Sequence, residues 1–167
     1  DARAYLRSTS KRYDVIAIDT YRQPYIPFQV TTREFFDLVR SHLTPGGAVA
    51  LNVARFPGDR GLLDAIAATV RAELGQAWTW DALRFNTLLF AFARHVTRPE
   101  LVRRVGTVPA ELRPLVPLFR GRVAPAGFQG GVLTDDRAPV EWLADRAIVS
   151  YIARGGRLDD DSLPTAP

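Results

Sequence analysis

The stretch YDVIAID, residues 13–19, decides the fold of this chain. Its β-branched and apolar residues predict a strand over 14–19 that is buried on both faces, as in a parallel sheet. The strand ends on Asp19, and the loop TYRQPYIPF, residues 20–28, follows it. Ligands of open α/β sheets bind at the carboxyl ends of the parallel strands. Asp19 is therefore a candidate functional carboxylate, although an aspartate there also suits a turn.

Strands and helices alternate after this first strand. Thr31 and Glu34 have capping-box spacing and predict a helix that Pro45–Gly47 ends. A second amphipathic helix, with Leu63 and Ile66 on its apolar face, is predicted to end at Gly75. The further predicted elements are strands over 47–54, 78–85 and 86–94, short helices over 99–105 and 109–119, a loop over 124–131 and a final helix over 140–156.

The order strand, helix, strand, helix, strand, strand predicts the α/β class. Specifically, it predicts the C-terminal half of a Rossmann-like sheet of the class I S-adenosylmethionine-dependent methyltransferase type, mostly parallel with an antiparallel last strand. Half of such a sheet would leave a strand edge exposed. We expect residues 1–154 to form this partial domain and residues 155–167 to be a disordered tail.

Composition excludes several classes of protein. With 167 residues, 47% of them hydrophobic, the chain is large enough for one globular domain. It has no cysteine and two distant histidines, so we expect no metal site. The arginines are scattered and the apolar runs are short, which argues against nucleic-acid binding and against a membrane helix within the chain. We expect a cytoplasmic protein and, because the chain begins at Asp1 without any methionine, a longer gene product.

Five segments in this order resemble the spermidine synthase family, in particular its bacterial spermidine-synthase-like branch. They are DARAYLR at 1–7, YDVIAIDTY at 13–21, IPFQVTTREFF at 26–36, LTPGGAVALNV at 43–53 and LTDDRAPVEWL at 133–143. The resemblance implies transfer of an aminopropyl group from decarboxylated S-adenosylmethionine to a small-molecule amine. It also implies that Asp19 is the catalytic acceptor beside the attacking amine, and that Asp1 contacts the adenine amino group. The alternative for Asp1 is that it caps a short helix.

Three further residues are candidates for substrate binding. The family places a second aspartate where this chain has Arg22, which would repel a polycation and puts spermidine or putrescine as acceptor in doubt. Asn52 matches a family glutamine that lines the acceptor tunnel, or it satisfies a loop backbone. Tyr21, together with Tyr25 and Phe28, either walls an aliphatic acceptor or anchors the loop.

Two other features complete the prediction. The carboxylates Asp135, Asp136 and Glu141 near Arg137 could bind a metal or a cationic substrate, but the simplest interpretation is the N-terminal cap of the last helix with an Arg–carboxylate pair. The family's glycine-rich nucleotide loop has no match here, so we expect this stretch to be inactive by itself.

The alternatives to aminopropyl transfer are a non-catalytic scaffold or interaction domain, and a methyltransferase on the same sheet. A homo-oligomer and a preceding membrane domain in the longer gene product are further expectations.

Overall fold

The computed structural model describes residues 1–20, 25–127 and 129–157. Six α-helices and five strands are found in these ranges. The helices are α1 Ala2–Ser8, α2 Arg33–Ser41, α3 Gly61–Leu74, α4 Arg98–Val105, α5 Val116–Arg122 and α6 Val140–Ala153. The strands are β1 Tyr13–Ile18, β2 Leu43–Ala54, β3 Trp78–Asp81, β4 Asn86–Phe92 and β5 Val123–Pro125, and short 3₁₀ helices span Phe28–Val30 and Ala110–Leu115.

The five strands form one mixed sheet in the order β1-β2-β4-β3-β5. β1 and β2 pair in parallel, whereas β4 pairs antiparallel with both β2 and β3, and β5 pairs antiparallel with β3. Three of the five strands, β1, β2 and β3, consequently run in the same direction. The predicted α/β class and the antiparallel entry of the last long strand are confirmed.

The apolar core lies on one face of the sheet. Alternate residues of β2, Val49, Leu51 and Val53, point into this face and are fully buried. α3 covers it with an apolar stripe that includes Leu63 and Ile66, and it ends at Gly75, whose φ of 74° is the left-handed value favoured by glycine. A second cluster of Trp78, Phe90, Val96, Leu101 and Val123 fills the other face, packed by Phe119 of α5.

The prediction that β1 is buried on both faces is wrong. No strand in the described part of the chain pairs with its outer edge, and Val15 is 63% exposed. The apolar run is typical of an internal parallel strand, but burial depends on neighbours that the run itself does not supply. The exposed strand edge expected for half of a sheet is thus present among the described residues.

The start and the end predicted for α2 are both wrong. The cap of α2 is Thr32, which accepts from the backbone N–H of Phe35, while the Thr31 hydroxyl donates to the carbonyl oxygen of Phe28. The helix ends at Ser41, and Pro45–Gly47 lie within β2, at an irregularity of its register with β1. Pairing with β1 has drawn this turn-like segment into the strand.

Two predictions about later segments are also corrected. Residues 123–125 form β5 on the edge of β3 rather than the start of a loop, since this pairing buries Val123. The cap of α6 is Pro139, without a side-chain hydrogen bond, so the Asp135 segment does not cap that helix. Within the ranges that the structure describes, no helix is long and apolar enough to cross a membrane.

Candidate functional site

Asp19 immediately follows β1, at the carboxyl end of the parallel pair. Ile18 pairs with Leu51, so the next positions, Asp19 and Asn52, lie side by side on the same face of the sheet. The side-chain amide nitrogen of Asn52 donates to Oδ1 of Asp19 over 3.4 Å. The structure therefore brings together two of the residues that the sequence singled out. Their catalytic and binding roles stay predictions.

Asn86 is a third polar residue at this end of the sheet. β4 is antiparallel to β2, so the first residue of β4 lies beside the last residues of β2, and Asn86 pairs with Ala54. Asn86 and Asn52 are diagonal neighbours on one face, within reach of their side chains. The Asn86 amide nitrogen donates to Oδ1 of Asn52 over 2.9 Å. Asn86 was not among the residues predicted from the sequence, although a polar residue at the start of an apolar strand could have indicated it.

A cluster of three aromatic rings includes two residues that are close in sequence to Asn52 and Asn86. Phe56 follows β2, Phe85 precedes Asn86, and Tyr151 comes from α6, with ring centroids 5.6–5.9 Å apart. The guanidinium of Arg84 lies 5.7 Å from the Phe85 ring centroid and donates to the Tyr151 hydroxyl over 3.4 Å. Edge-to-face and tilted ring contacts of this kind stabilise the packing of the three side chains. The β3–β4 turn that carries Asn86 is thereby packed onto α6.

The loop after Asp19 is described at Thr20 and again from Tyr25 onward. The Tyr25 hydroxyl donates to Asp145 of α6 over 2.6 Å, and this hydrogen bond raises the pKa of Tyr25. Tyr25 therefore anchors the loop, which was the alternative to its walling an aliphatic acceptor. Phe28 opens a 3₁₀ helix and is 43% exposed. The predicted substrate-binding residues Tyr21 and Arg22 lie outside the described residues.

Asp1 is the N-cap of α1. Its Oδ1 accepts from the backbone N–H groups of Arg3 and Ala4 over 2.8 and 3.0 Å. The capping interpretation of Asp1 therefore holds in the structure, and the contact with adenine stays a prediction. Between α1 and the free edge of β1 lies a groove of about 270 Å³. It is lined mainly by apolar residues of the two elements, including Ala2, Leu6, Val15 and Ile16.

Asp135 ties α1 to α2. Arg3 Nη2 donates to both Asp135 oxygens over 2.8 Å, and Thr32 Oγ1 donates to Oδ1 over 2.7 Å. Burial by itself raises the pKa of Asp135, but the hydrogen bonds from Thr32 and Arg3 outweigh it and lower this pKa below its ordinary value. The Arg–carboxylate pair predicted for this segment exists, but its partner is Arg3 rather than Arg137.

Metal ligands are not grouped in the described ranges. No set of three or more His, Asp or Glu side chains there is arranged to hold a metal ion.

A mixed sheet with helices on its faces, and with polar side chains at the carboxyl ends of β1 and β2, defines a Rossmann-like protein of the class I methyltransferase type. Comparison with known proteins shows which proteins the chain resembles. No family model matches the chain. It is 30% identical over 174 residues to the probable polyamine aminopropyl transferase of Bifidobacterium longum, in an alignment covering 92% of this chain and 39% of that protein.

A second relative is polyamine aminopropyltransferase 2 of Pseudomonas aeruginosa, 36% identical over 85 residues, 49% of this chain and 24% of that protein. Among solved structures, a probable spermidine synthase from Corynebacterium glutamicum superimposes with a TM-score of 0.53 at 18% identity. The alignment covers 100% of this chain and 54% of that one, and it shows the shared fold alone. Over most of its length the chain is thus similar to polyamine aminopropyltransferases, and it spans about two fifths of the length of the first relative.

Proposed function

We propose that this chain carries the amine-acceptor side of an aminopropyltransferase site. The donor is decarboxylated S-adenosylmethionine, and the acceptor is a small-molecule amine. The observation that carries the proposal is the position of Asp19: it follows β1 at the carboxyl end of the parallel pair, with Asn52 within hydrogen-bonding distance. The sequence relationship over 92% of the chain supports the choice of reaction.

The chemistry requires an acceptor at this position. A nucleophilic amine must be unprotonated, and in the reaction its nitrogen bonds to the carbon next to the sulfonium while the C–S bond breaks. The electron pair of that bond goes to sulfur, which becomes a neutral thioether. Asp19 accepts a hydrogen bond from the amine, aligns the lone pair of the nitrogen and takes up the proton that leaves. Asp19 is exposed, so an amine can reach it.

Residues 1–167 supply only part of a binding site for decarboxylated S-adenosylmethionine. The apolar groove between α1 and β1, with Asp1 at the start of α1, suits one side of a nucleoside. The described residues contain no glycine-rich turn between a strand and a helix to hold the rest. We therefore expect residues 1–167 alone to be inactive, and decarboxylated S-adenosylmethionine to bind the full-length gene product.

The acceptor class depends on Arg22. Arg22 lies outside the described residues, but in sequence it occupies the place of a family aspartate that holds the polyamine. A cation in place of that aspartate would repel polycations, so we expect a monoamine, or an amine that also bears a negative charge, to be preferred over putrescine or spermidine. A cytoplasmic location and a homo-oligomeric state stay predictions.

The test uses the full-length gene product with decarboxylated S-adenosylmethionine, a panel of amines and product analysis by mass spectrometry. Asp19→Asn should lower kcat by at least about 100-fold and leave binding of the donor unchanged in calorimetry. Asp14→Asn is the matched control, because Asp14 lies at the opposite end of β1, where Thr44 donates to it. It should retain activity.

Three outcomes would reject the proposal. Absence of donor binding in the full-length protein would favour a non-catalytic scaffold. Methyl transfer from S-adenosylmethionine, without aminopropyl transfer, would indicate a methyltransferase. Equal activity of Asp19→Asn and Asp14→Asn would remove Asp19 from the reaction.

A further inference from the structure

We propose that Asn86 is a positioning residue for this reaction: it holds the Asn52 amide in the orientation that directs its nitrogen at Asp19. This inference rests on the proposed function for its kinetic consequence, but its geometric part stands on the contacts themselves. Asn86 donates to the Asn52 oxygen over 2.9 Å, and the Asn52 nitrogen reaches Asp19 over 3.4 Å.

The donor and acceptor inventory makes the direction of this chain of hydrogen bonds specific. An ionised carboxylate only accepts, so Asn52 must present its NH₂ group to Asp19. The Asn52 oxygen then points the other way and needs a donor. Asn86 supplies it through its own amide nitrogen. If Asn86 presented an oxygen instead, two acceptors would compete for the NH₂ group of Asn52, and its orientation towards Asp19 would no longer be selected.

The backbone holds Asn86 in a defined place. Its N–H donates to the carbonyl oxygen of Leu83 and its own carbonyl accepts from the Leu83 N–H, over 3.3 and 3.2 Å, which closes the β3–β4 turn. Asn86 also pairs with Ala54 of β2. A side chain on a strand end fixed from both sides can hold a neighbour with little loss of its own freedom.

The consequence for catalysis follows from the geometry of Asp19. Within residues 1–20, 25–127 and 129–157, Asn52 is the residue that donates to Asp19, from its amide nitrogen to Oδ1 of the carboxylate. A hydrogen bond there leaves Oδ2 to accept from the attacking amine and restricts rotation of the carboxylate. Loss of that restriction lowers the fraction of complexes with the amine correctly aligned.

Two substitutions separate orientation from mere packing. Asn86→Ala removes the donor that faces the Asn52 oxygen and weakens the selection of its orientation, so kcat should fall about 3- to 10-fold. Asn86→Asp is almost the same size but replaces the donor with an acceptor that competes with Asp19 for the NH₂ group of Asn52, so it should lower kcat about 10- to 100-fold. The KM for decarboxylated S-adenosylmethionine should stay within about twofold, because Asn86 acts on the acceptor side.

Thr87→Val is the matched control. Thr87 is the next residue of β4, and its hydroxyl donates to Asp81 over 2.6 Å on the opposite face of the sheet. The substitution removes one hydrogen bond from the same strand without touching Asn52. It should lower the melting temperature without changing kcat.

Coupling through Asn52 is tested by a double-mutant cycle. In an Asn52→Leu background, Asn86→Asp should have almost no further effect on kcat, because the amide through which Asn86 acts on Asp19 is gone. If the two substitutions instead damage the structure independently, their fold-losses of kcat should multiply. Multiplying effects, or a smaller loss for Asn86→Asp than for Asn86→Ala, would overturn the proposal.

The orientation itself is read from the side-chain NH₂ signals of Asn52 in ¹H–¹⁵N NMR spectra, which need no activity. These signals should move in Asn86→Asp and stay in place in Thr87→Val. If they stay in place in Asn86→Asp, the proposal fails whatever the kinetics show. If they move but the full-length wild-type protein transfers no aminopropyl group, the contact holds and the proposed function is what fails.

Discussion

β1 and β2 are neighbouring parallel strands with similar apolar sequences and very different surroundings. Val15 of β1 is 63% exposed, whereas Val49 of β2, which pairs with the adjacent Ile16, is fully buried. β2 lies between β1 and β4 and under the apolar face of α3, while β1 forms the edge of the sheet among the described residues. Val15 pairs with Ala48, so it also points to the face of the sheet opposite to Val49, and its exposure follows from that face together with the edge position of β1.

The sharpest test of this contrast is one substitution made in both strands. Val49→Ala should lower the free energy of unfolding by about 2–3 kcal/mol, because it removes two methyl groups from a closed core. Val15→Ala should change it by less than about 0.5 kcal/mol, since that side chain already faces solvent. Urea unfolding of the two variants measures the difference. Equal losses would mean that another part of the protein covers the face of β1 to which Val15 points.

Two adjacent glycines test how closely the two strands approach. A Cβ on Gly47 would lie 2.8 Å from the carbonyl oxygen of Tyr13, whereas a Cβ on Gly46 would meet nothing within 4 Å. Gly47→Ala should therefore lower the free energy of unfolding by about 1–3 kcal/mol through local overpacking. Gly46→Ala is the control and should be neutral within about 0.5 kcal/mol. A neutral result for Gly47→Ala would show that β1 moves away easily, as a weakly held edge strand can.

The smallest expected effect concerns the polar anchor beside the edge. Arg3 and Thr32 lower the pKa of Asp135, so its ionised form is bound more favourably in the folded state than in the unfolded one. This stabilisation is fully present above the ordinary aspartate pKa of about 3.9 and is lost as the pH falls through the lowered value.

Asp135→Asn should accordingly lower the melting temperature by at most a few degrees at pH 7, and the difference from wild type should shrink below about pH 4. Differential scanning calorimetry from pH 7 to pH 2 measures it. Asp136→Asn, one residue further along, is the control. A difference that persists unchanged at pH 2 would assign the effect to packing rather than to the charge of Asp135.

Sequence patterns predicted the main elements well where they are strongly apolar. The stripe of α3 and its end at Gly75 are confirmed, as are β4 and the helix after Pro139. Boundaries were less predictable at Thr31 and at Pro45–Gly47, because both segments contain more than one residue suited to a cap or a turn. Pairing with β1 and contacts with neighbouring elements selected between them.

The candidate site shows the same division. Asp19 was found because it ends a predicted parallel strand, and Asn52 because it matches a family glutamine near the end of the next strand. Asn86 was missed because it opens a strand whose direction and neighbour are set by sheet order. Arg3 and Asp135 are 132 positions apart, so no local pattern links them.

The sequence alone determined the kinds of elements, the α/β class and the carboxylate at the end of β1, because each of these follows from local periodicity and residue type. Only the tertiary structure decided which strand is an edge, which polar residues share a face and which charges meet. Those properties depend on contacts between residues far apart in the chain, and they are selected by the burial of one shared core. The hydrogen-bonded series from Asn86 through Asn52 to Asp19 belongs to this second group.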